Sequence, residues 1–293
     1  MLLGEPKWVD IDGVRTRYFD KGRGEPILLV TGGNFGSPDS ASTVEIWCDN
    51  FHVLAREYRV IAFDKLGQGH TDNPRNDDYR MQAVAAHAAG FLRTLDLTGI
   101  HIMGQSRGAM LAARLTLDCP ERIRSCTLVN TGTLSPGVGL NEVHLSGGPC
   151  PVGTRESQRW IFEHCAFDPR SISDELVEAG YEVLRLPKYQ EAVRKMTVEG
   201  LGAELFLPQL AKLKRETLQR IADAGLGRPT QIIWGYNDHT TTMEAAIELF
   251  QLISSREPHA SFHLINEAGH HPFHEHPEQF NELALGFLRR LQR

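Results

Sequence analysis

The pentapeptide Gly104-Gln105-Ser106-Arg107-Gly108 stands between an apolar run at residues 99–103 and a segment of helical periodicity at residues 109–117. A strand, the pattern G-x-S-x-G and a helix, in that order, are typical of a nucleophile elbow, a very tight turn at the end of a strand. A side chain at either flanking position would collide with the neighbouring strand or helix, so both positions need glycine. The sequence therefore predicts a turn that presents Ser106 at the carboxyl edge of a sheet.

Apolar runs bounded by turn residues alternate with helical periodicity along most of the chain. This alternation predicts an α/β fold, a mostly parallel sheet with helices on both faces. The turn dipeptide Asp12-Gly13 between the first two apolar runs predicts that these two strands form a hairpin. The predicted strands cover residues 8–11, 14–19, 27–31, 59–63, 100–103, 126–130, 230–234 and 261–265. The predicted core helices cover residues 44–57, 81–95, 109–117, 240–250 and 277–291.

Residues 133–227 interrupt that alternation. The segment begins with a run rich in Gly and Pro and continues with helical periodicity at residues 157–165, 174–184 and 210–222. We interpret it as an α-helical cap (133–227) on a core formed by residues 1–132 and 228–293. Such a cap would cover the carboxyl edge of the sheet, where open α/β sheets bind ligands.

Composition narrows the classes of function. Of the 293 residues, 41% are hydrophobic and 23% are charged, which is ordinary for a globular chain. The net charge of −6 does not favour binding to nucleic acid or to an anionic membrane. The first residues resemble neither a signal peptide nor a membrane span. The five cysteines, an odd number without C-x-x-C spacing, are expected to be reduced thiols in a cytoplasmic protein. We expect a small-molecule substrate.

A serine hydroxyl is a weak nucleophile near neutral pH and needs a general base, which in turn needs an orienting carboxylate. In this architecture the three groups follow the order Ser, Asp or Glu, His. Asp238 comes just after the predicted strand at 230–234, and His270 just after the strand at 261–265. We therefore predict Ser106 as nucleophile, His270 as base and Asp238 as orienting acid. Asp238 could also cap the helix at 240–250, and the two roles are compatible.

Acyl transfer also needs two backbone N–H groups directed at the developing negative charge. One is expected from Arg107, the residue after the nucleophile. The other is expected from the glycine turn after the strand at 27–31, above all from Asn34, with Gly33 beside it. A cation at the start of a helix opposes the helix dipole, so Arg107 needs a compensating anion, and a protein carboxylate is favoured over a substrate anion.

The chain is similar to α/β-hydrolases over essentially its whole length. The likeness rests on Thr31-Gly32-Gly33, residues 59–69, the elbow at 104–108, Pro120-Glu121-Arg122, and Ala268-Gly269-His270 with residues 275–278. The chain most resembles the meta-cleavage product hydrolases, serine-dependent C–C bond hydrolases of bacterial aromatic-ring degradation. The resemblance implies Ser106, Asp238 and His270 as the triad, no cofactor, and a homo-oligomer as in related enzymes.

Four positions depart from the meta-cleavage pattern. This chain has Thr31 where those enzymes usually have His, Gln105 where they often have Asn, and His271 where they often have Trp. Their cap arginine that contacts the substrate carboxylate aligns with Gly180 of this chain. A site without that arginine would suit an uncharged ester or lactone, unless Arg107, Arg155 or Arg159 supplies the charge. The residues expected to contact substrate are Gly32, Gln105, His271, Trp160 and Arg155.

Three functions therefore stay open at this point. The first is a hydrolase of a 2-hydroxy-6-oxo-dienoate, the second a carboxylesterase or lactonase with the same triad, and the third a ligand-binding relative without turnover, which the triad disfavours. A metal site is not expected, because the histidines at 270, 271, 274 and 276 have no Cys or carboxylate at zinc spacing. Asp64, in the turn after the strand at 59–63, is expected to be structural.

Overall fold

The computed structural model describes residues 2–137 and 139–292, so Met1, Val138 and Arg293 of the predicted units lie outside the description. The described strands are β1 (Lys7–Ile11), β2 (Val14–Lys21), β3 (Pro26–Val30), β4 (Arg59–Phe63), β5 (Ile100–Gln105), β6 (Ile123–Val129), β7 (Thr230–Gly235) and β8 (Ser261–Ile265). They form one sheet in the order β1-β2-β4-β3-β5-β6-β7-β8. β2 pairs antiparallel with β1 and β4, and all other pairs are parallel. The predicted mostly parallel sheet is confirmed.

The central strands are apolar because both faces of the sheet are covered. Every residue of β5 and β7 is buried, and so is every residue of β3 and β4 after the first. Parallel strands between two layers of helices have such continuous apolar runs, whereas a sheet with one wet face would alternate. The apolar runs in the sequence therefore mark the middle of the sheet.

The helices lie on both faces, as predicted. One face carries a cluster that includes Phe91, Leu111 and Ile253, and the other carries a cluster around Trp47 and Phe280. The described α-helices are α1 (Cys48–Leu54), α2 (Met81–Thr94), α3 (Arg107–Asp118), α4 (Asn141–His144), α5 (Arg155–Cys165), α6 (Asp174–Leu184), α7 (Pro187–Thr197), α8 (Leu207–Ala224), α9 (Met243–Ser254), α10 (Pro272–Glu275) and α11 (Pro277–Arg290).

Some helix bounds differ from the prediction for local reasons. The predicted helix at 44–57 is a 3₁₀ turn, Val44–Trp47, followed by α1, which ends at Leu54. The predicted helix at 240–250 begins only at Met243. In the turn before it, the N–H groups of Thr240 and Thr241 donate to Asp238. The helix α7 was not predicted at all.

Between β6 and β7 the described chain forms α4 to α8 and adds no strand to the sheet. This segment touches the core at the loop that follows β3. Gln158 of α5 bonds both the N–H and the carbonyl of Ala41, and the Tyr189 hydroxyl of α7 donates to the carbonyls of Ser37 and Ser40. We keep the name cap for residues 133–227, whose status as a separate unit stays a prediction. None of the described helices is long and apolar enough to cross a membrane.

Candidate active site

The turn between β5 and α3 has the geometry expected of an elbow. Ser106 has φ +55° and ψ −125°, a left-handed conformation that a side chain other than glycine adopts at a cost of about 1–3 kcal/mol. A Cβ at Gly104 would overlap the backbone of Gly108, and a Cβ at Gly108 would overlap the backbone of Val30. Both flanking positions therefore accept only glycine, and the strained residue between them is the serine.

The imidazole and the carboxylate expected near Ser106 are bonded to each other. His270 follows β8 and Asp238 follows β7, and His270 Nδ1 lies 2.7 Å from Asp238 Oδ2. Thr240 Oγ1 lies 3.0 Å from the same Nδ1 and donates to Asp238 Oδ1 at 2.7 Å. Because Nδ1 faces the carboxylate, Nε2 is the nitrogen left to exchange a proton with a substrate or with Ser106.

Asp238 is completely buried at its side chain and is held ionised. Burial alone raises the pKa of this carboxyl. The charge and hydrogen bond of His270, with hydrogen bonds from Asn130 and Thr240, outweigh that effect, so the pKa lies below its usual value. A buried carboxylate of this kind orients an imidazole and stabilises it once it is protonated.

Asn130, which the sequence analysis did not single out, supports both ends of this pair. Its Nδ2 donates to Asp238 Oδ2 at 2.8 Å and to the Gly269 carbonyl at 3.3 Å. Its Oδ1 accepts from the Gly235 N–H at 2.9 Å. Asn130 directly follows β6, so one side chain ties the ends of β6, β7 and the turn after β8 together. The available signal was an amide at the end of a buried strand, at the same edge of the sheet as Ser106, Asp238 and His270.

The glycine turn after β3 lies directly against Ser106. A Cβ on Gly32 would lie 2.8 Å from Ser106 Cβ and 2.6 Å from Gln105 Oε1, so Gly32 permits this approach. Gly33 and Asn34 follow it and line the same cavity as Ser106. Arg107 begins α3 and also lines that cavity. The backbone groups expected to hold an oxyanion are thus brought to one place.

The cavity has a volume of about 400 Å³. One part of its wall is apolar, formed by Ile46 and by the cap residues Leu145, Ile161, Phe162 and Cys165. Another part is a polar stretch that the sequence analysis missed, formed by Ser37, Asp39, Ser40, Ser42 and Thr43. The run of hydroxyl residues just after the glycine turn was the sequence signal for this polar wall.

Of the predicted substrate contacts outside the glycine turn, two line the cavity and two do not. Gln105 and His271 are lining residues, and Gln105 also donates to the His270 carbonyl at 3.2 Å. Arg155 and Trp160 are absent from the lining. Arg155 pairs with Asp174 at 2.7 Å on the surface, and the Trp160 ring stacks on the His164 ring at 3.8 Å. Both lie on α5, whose cavity side is formed by other residues, so the structure does not support these two predictions.

His271 is a neutral imidazole in this wall. Burial lowers its pKa well below the usual value, and the charges of His270 and His274 lower it further. It therefore offers a hydrogen bond to a ligand without adding a positive charge.

The alignment of a missing cap arginine with Gly180 also needs correction. A Cβ at Gly180 would overlap the side chain of Gln158, so this position faces α5 and not the cavity. Glycine at 180 therefore reflects close packing of α5 and α6 and says nothing about substrate charge. Of the three arginines considered in its place, Arg159 pairs with Glu163 and Asp174, Arg155 is on the surface, and Arg107 lines the cavity.

The histidines near the end of the chain have separate partners. His276 Nε2 lies 2.8 Å from the Glu267 carbonyl oxygen, and His274 Nδ1 lies 2.7 Å from Asp49. Cys48, Asp49 and His274 hold potential ligand atoms within 4.8 Å of one another. This cluster lies outside the cavity lining, and burial, followed by the charge of Asp49, raises the pKa of the Cys48 thiol to about 12, which disfavours a thiolate.

Comparison with known proteins decides the family. The model of the alpha/beta hydrolase fold matches residues 25–277, which is most of the chain. The chain belongs to the α/β-hydrolase family. This hydrolase is 29% identical over 279 residues to the 2-hydroxy-6-oxo-2,4-heptadienoate hydrolase of Pseudomonas putida, covering 94% of this chain and 93% of that one.

Further relatives agree. A 2-hydroxy-6-oxo-6-(2'-aminophenyl)hexa-2,4-dienoic acid hydrolase of Metapseudomonas resinovorans is 26% identical, covering 97% of this hydrolase and 91% of that protein. The solved structure of the meta-cleavage product hydrolase CumD of Pseudomonas fluorescens superposes with a TM-score of 0.77 at 26% identity, covering 99% of this chain and 98% of that one. The resemblance to meta-cleavage product hydrolases is thereby confirmed.

Proposed function

We propose that this α/β-hydrolase is a serine hydrolase that cleaves a C–C bond in a 2-hydroxy-6-oxo-dienoate, with Ser106, His270 and Asp238 as its triad. The observation that carries the proposal is the 2.7 Å bond from the buried Asp238 to His270, which lines the same cavity as the elbow serine. The relatives named for ring-cleavage products support the substrate class.

The proposed reaction begins with conversion of the dienol to its keto form, in which a proton moves from the enol oxygen to carbon. His270 Nε2 then takes the Ser106 proton while the oxygen attacks the ketone carbonyl. The backbone N–H groups of the glycine turn and of Arg107 hold the oxyanion. The C–C bond breaks as the carbonyl re-forms, and its electron pair stays on the dienoate fragment, which takes the proton from His270. Water hydrolyses the acyl-enzyme and releases a carboxylic acid.

A second function is favoured by the polar wall of the cavity. Asp39 lines the same space as Ser106, and its negative charge opposes the binding of an anionic substrate. A neutral ester or lactone would avoid this repulsion and could use the same acyl-enzyme chemistry. The departure at Gly180 no longer supports this alternative, since that position is outside the cavity.

The two functions are separated by a paired assay. One arm follows loss of the dienolate absorbance of a 2-hydroxy-6-oxo-hexadienoate, and the other follows hydrolysis of an aryl ester and a lactone of matched size. Ser106→Ala is the blank in both arms. A kcat/KM that is highest for the dienoate supports C–C hydrolysis. A kcat/KM at least tenfold higher for the ester or lactone would replace it by the second function.

A further inference from the structure

Lys65 lies two residues beyond the end of β4, and its amine is buried beneath the glycine turn. The residue is only 2% exposed. Its Nζ donates to the Gly32 carbonyl at 2.9 Å, and among the described residues this is its one hydrogen bond. The amine is thus held against the turn that lies beside Ser106.

This placement is unfavourable for a lysine. Burial, together with the Arg107 guanidinium, lowers the pKa of Lys65 to about 7. The neighbouring carboxylate of Asp64 does not pair with the Lys65 amine. It accepts hydrogen bonds from Arg17 at 2.6 Å and from the His70 N–H at 2.8 Å instead. Buried ionisable groups whose pKa is strongly shifted are common at functional sites, so the position of Lys65 points to a role in the site.

The hydrogen bond from Lys65 affects the orientation of the peptide that joins Gly32 and Gly33. The Gly32 carbonyl and the Gly33 N–H belong to one planar trans peptide and therefore point in opposite directions. When Lys65 holds the carbonyl on its side, the Gly33 N–H is directed to the other side. Gly33 lines the cavity, and its N–H has no acceptor among the described residues. The N–H is consequently available to a substrate oxygen.

We propose that Lys65 is a positioning residue, which fixes the Gly32–Gly33 peptide so that the Gly33 N–H meets the oxyanion formed on attack by Ser106. When protonated, the amine also polarises this peptide and strengthens the N–H as a donor. The proposal rests on the serine-hydrolase function above, but not on whether the substrate is a dienoate or an ester.

The test replaces Lys65 by Met, which keeps the length of the side chain and removes its donors. The matched control is Lys188→Met, because Lys188 is a half-buried lysine that also donates to backbone carbonyls, those of Gln68 and Thr71, and not to a carbonyl of the glycine turn. Each variant is assayed for kcat and KM on the aryl ester and for its rate of labelling by an aryl phosphonate, which forms a tetrahedral adduct.

Removing an oxyanion donor typically lowers kcat by about 10²–10³-fold, so a misdirected donor should lower it by about 10–100-fold. We expect that loss in Lys65→Met for kcat and for labelling, with KM changed less than threefold and Lys188→Met unchanged. Should Lys65→Met not fold, Lys65→Gln serves instead, since its shorter, uncharged amide still offers N–H donors, and the expected loss is about tenfold.

Two results would overturn the proposal while leaving the serine hydrolase intact. One is a folded Lys65 variant with kcat and labelling rate within twofold of Lys188→Met. The other is a loss that appears only in KM. Absence of labelling in the wild-type protein would instead contradict the proposed function itself.

Discussion

Replacing Asp238 by Asn changes the proton on His270 while altering few atoms. Asp238 Oδ1 accepts three hydrogen bonds, two from Thr240 and one from the Thr241 N–H, and Oδ2 accepts from Asn130 and faces His270 Nδ1. An asparagine would place its oxygen among the three donors and its NH₂ group at the Oδ2 position. The NH₂ would donate to Nδ1, and the proton of His270 would then sit on Nε2.

An imidazole protonated at Nε2 cannot accept the Ser106 proton. The same change of tautomer in a serine protease lowers kcat by about 10⁴-fold, which corresponds to about 5.5 kcal/mol of transition-state stabilisation. We expect a similar loss here, with KM within a few-fold of the wild type. The new NH₂ would also face the Asn130 NH₂, and this unsatisfied pair should lower the free energy of unfolding by about 1–3 kcal/mol.

The assay measures kcat on the aryl ester and the dienoate, and the free energy of unfolding in urea. The control is Glu244→Gln, a carboxylate-to-amide change on the surface at the start of α9. The double variant Asp238→Asn/Asn130→Asp separates the two effects, because the carboxylate introduced at position 130 would accept from the new NH₂. Part of the lost stability should return, since only the donor to the Gly269 carbonyl is still missing, but the activity should not. A kcat within tenfold of the wild type in Asp238→Asn would refute the assignment of the acid.

Three further outcomes are expected. Asn130→Ala should lower the free energy of unfolding by about 2–4 kcal/mol, because the Gly235 N–H loses its acceptor. It should also lower kcat at least tenfold. An unchanged kcat would show that Asp238 does not need the hydrogen bond from Asn130. Asp39→Asn should lower KM for the dienoate about fivefold, a change of about 1 kcal/mol, and leave KM for a neutral ester unchanged; equal shifts for both substrates would contradict the charge argument. Burial lowers the pKa of His87 to about 4 in the folded protein. As the pH falls, the histidine of the unfolded chain, whose pKa is not lowered, is protonated first. The free energy of unfolding should therefore fall by about 3 kcal/mol between pH 6.5 and 4. Urea unfolding at both pH values should show a smaller loss in His87→Gln, which keeps a polar group near Thr16, and an equal loss would assign the effect elsewhere.

The parts of the fold that the sequence could predict are those dominated by local rules. Strands such as β5 and β7 are buried on both faces and therefore read as unbroken apolar runs. The elbow could be predicted because its two glycines are required by backbone overlap. Asp238 and His270 could be located because the carboxyl ends of neighbouring parallel strands share one edge.

The parts that could not be predicted depend on which way a helix faces. Helical periodicity predicted a helix at residues 157–165, which includes Trp160 and begins just after Arg155. Only the packing of α5 on the loop after β3 shows that Ile161 and Phe162, not Arg155 and Trp160, face the cavity. The close packing of α6 against Gln158 of α5 explains Gly180. Asn130 contacts Asp238 and Lys65 contacts Gly32, both far away in the sequence, and no local sequence pattern predicts such contacts.

The most direct test of the account is the site of labelling by an aryl phosphonate. Intact-mass analysis followed by peptide mapping would be run on the wild type, on Ser106→Ala and on His270→Ala. The account predicts one adduct per chain on Ser106 in the wild type, none in Ser106→Ala and much slower labelling in His270→Ala. No adduct in the wild type, or an adduct that persists on another residue in Ser106→Ala, would contradict the assignment of Ser106 as the activated nucleophile.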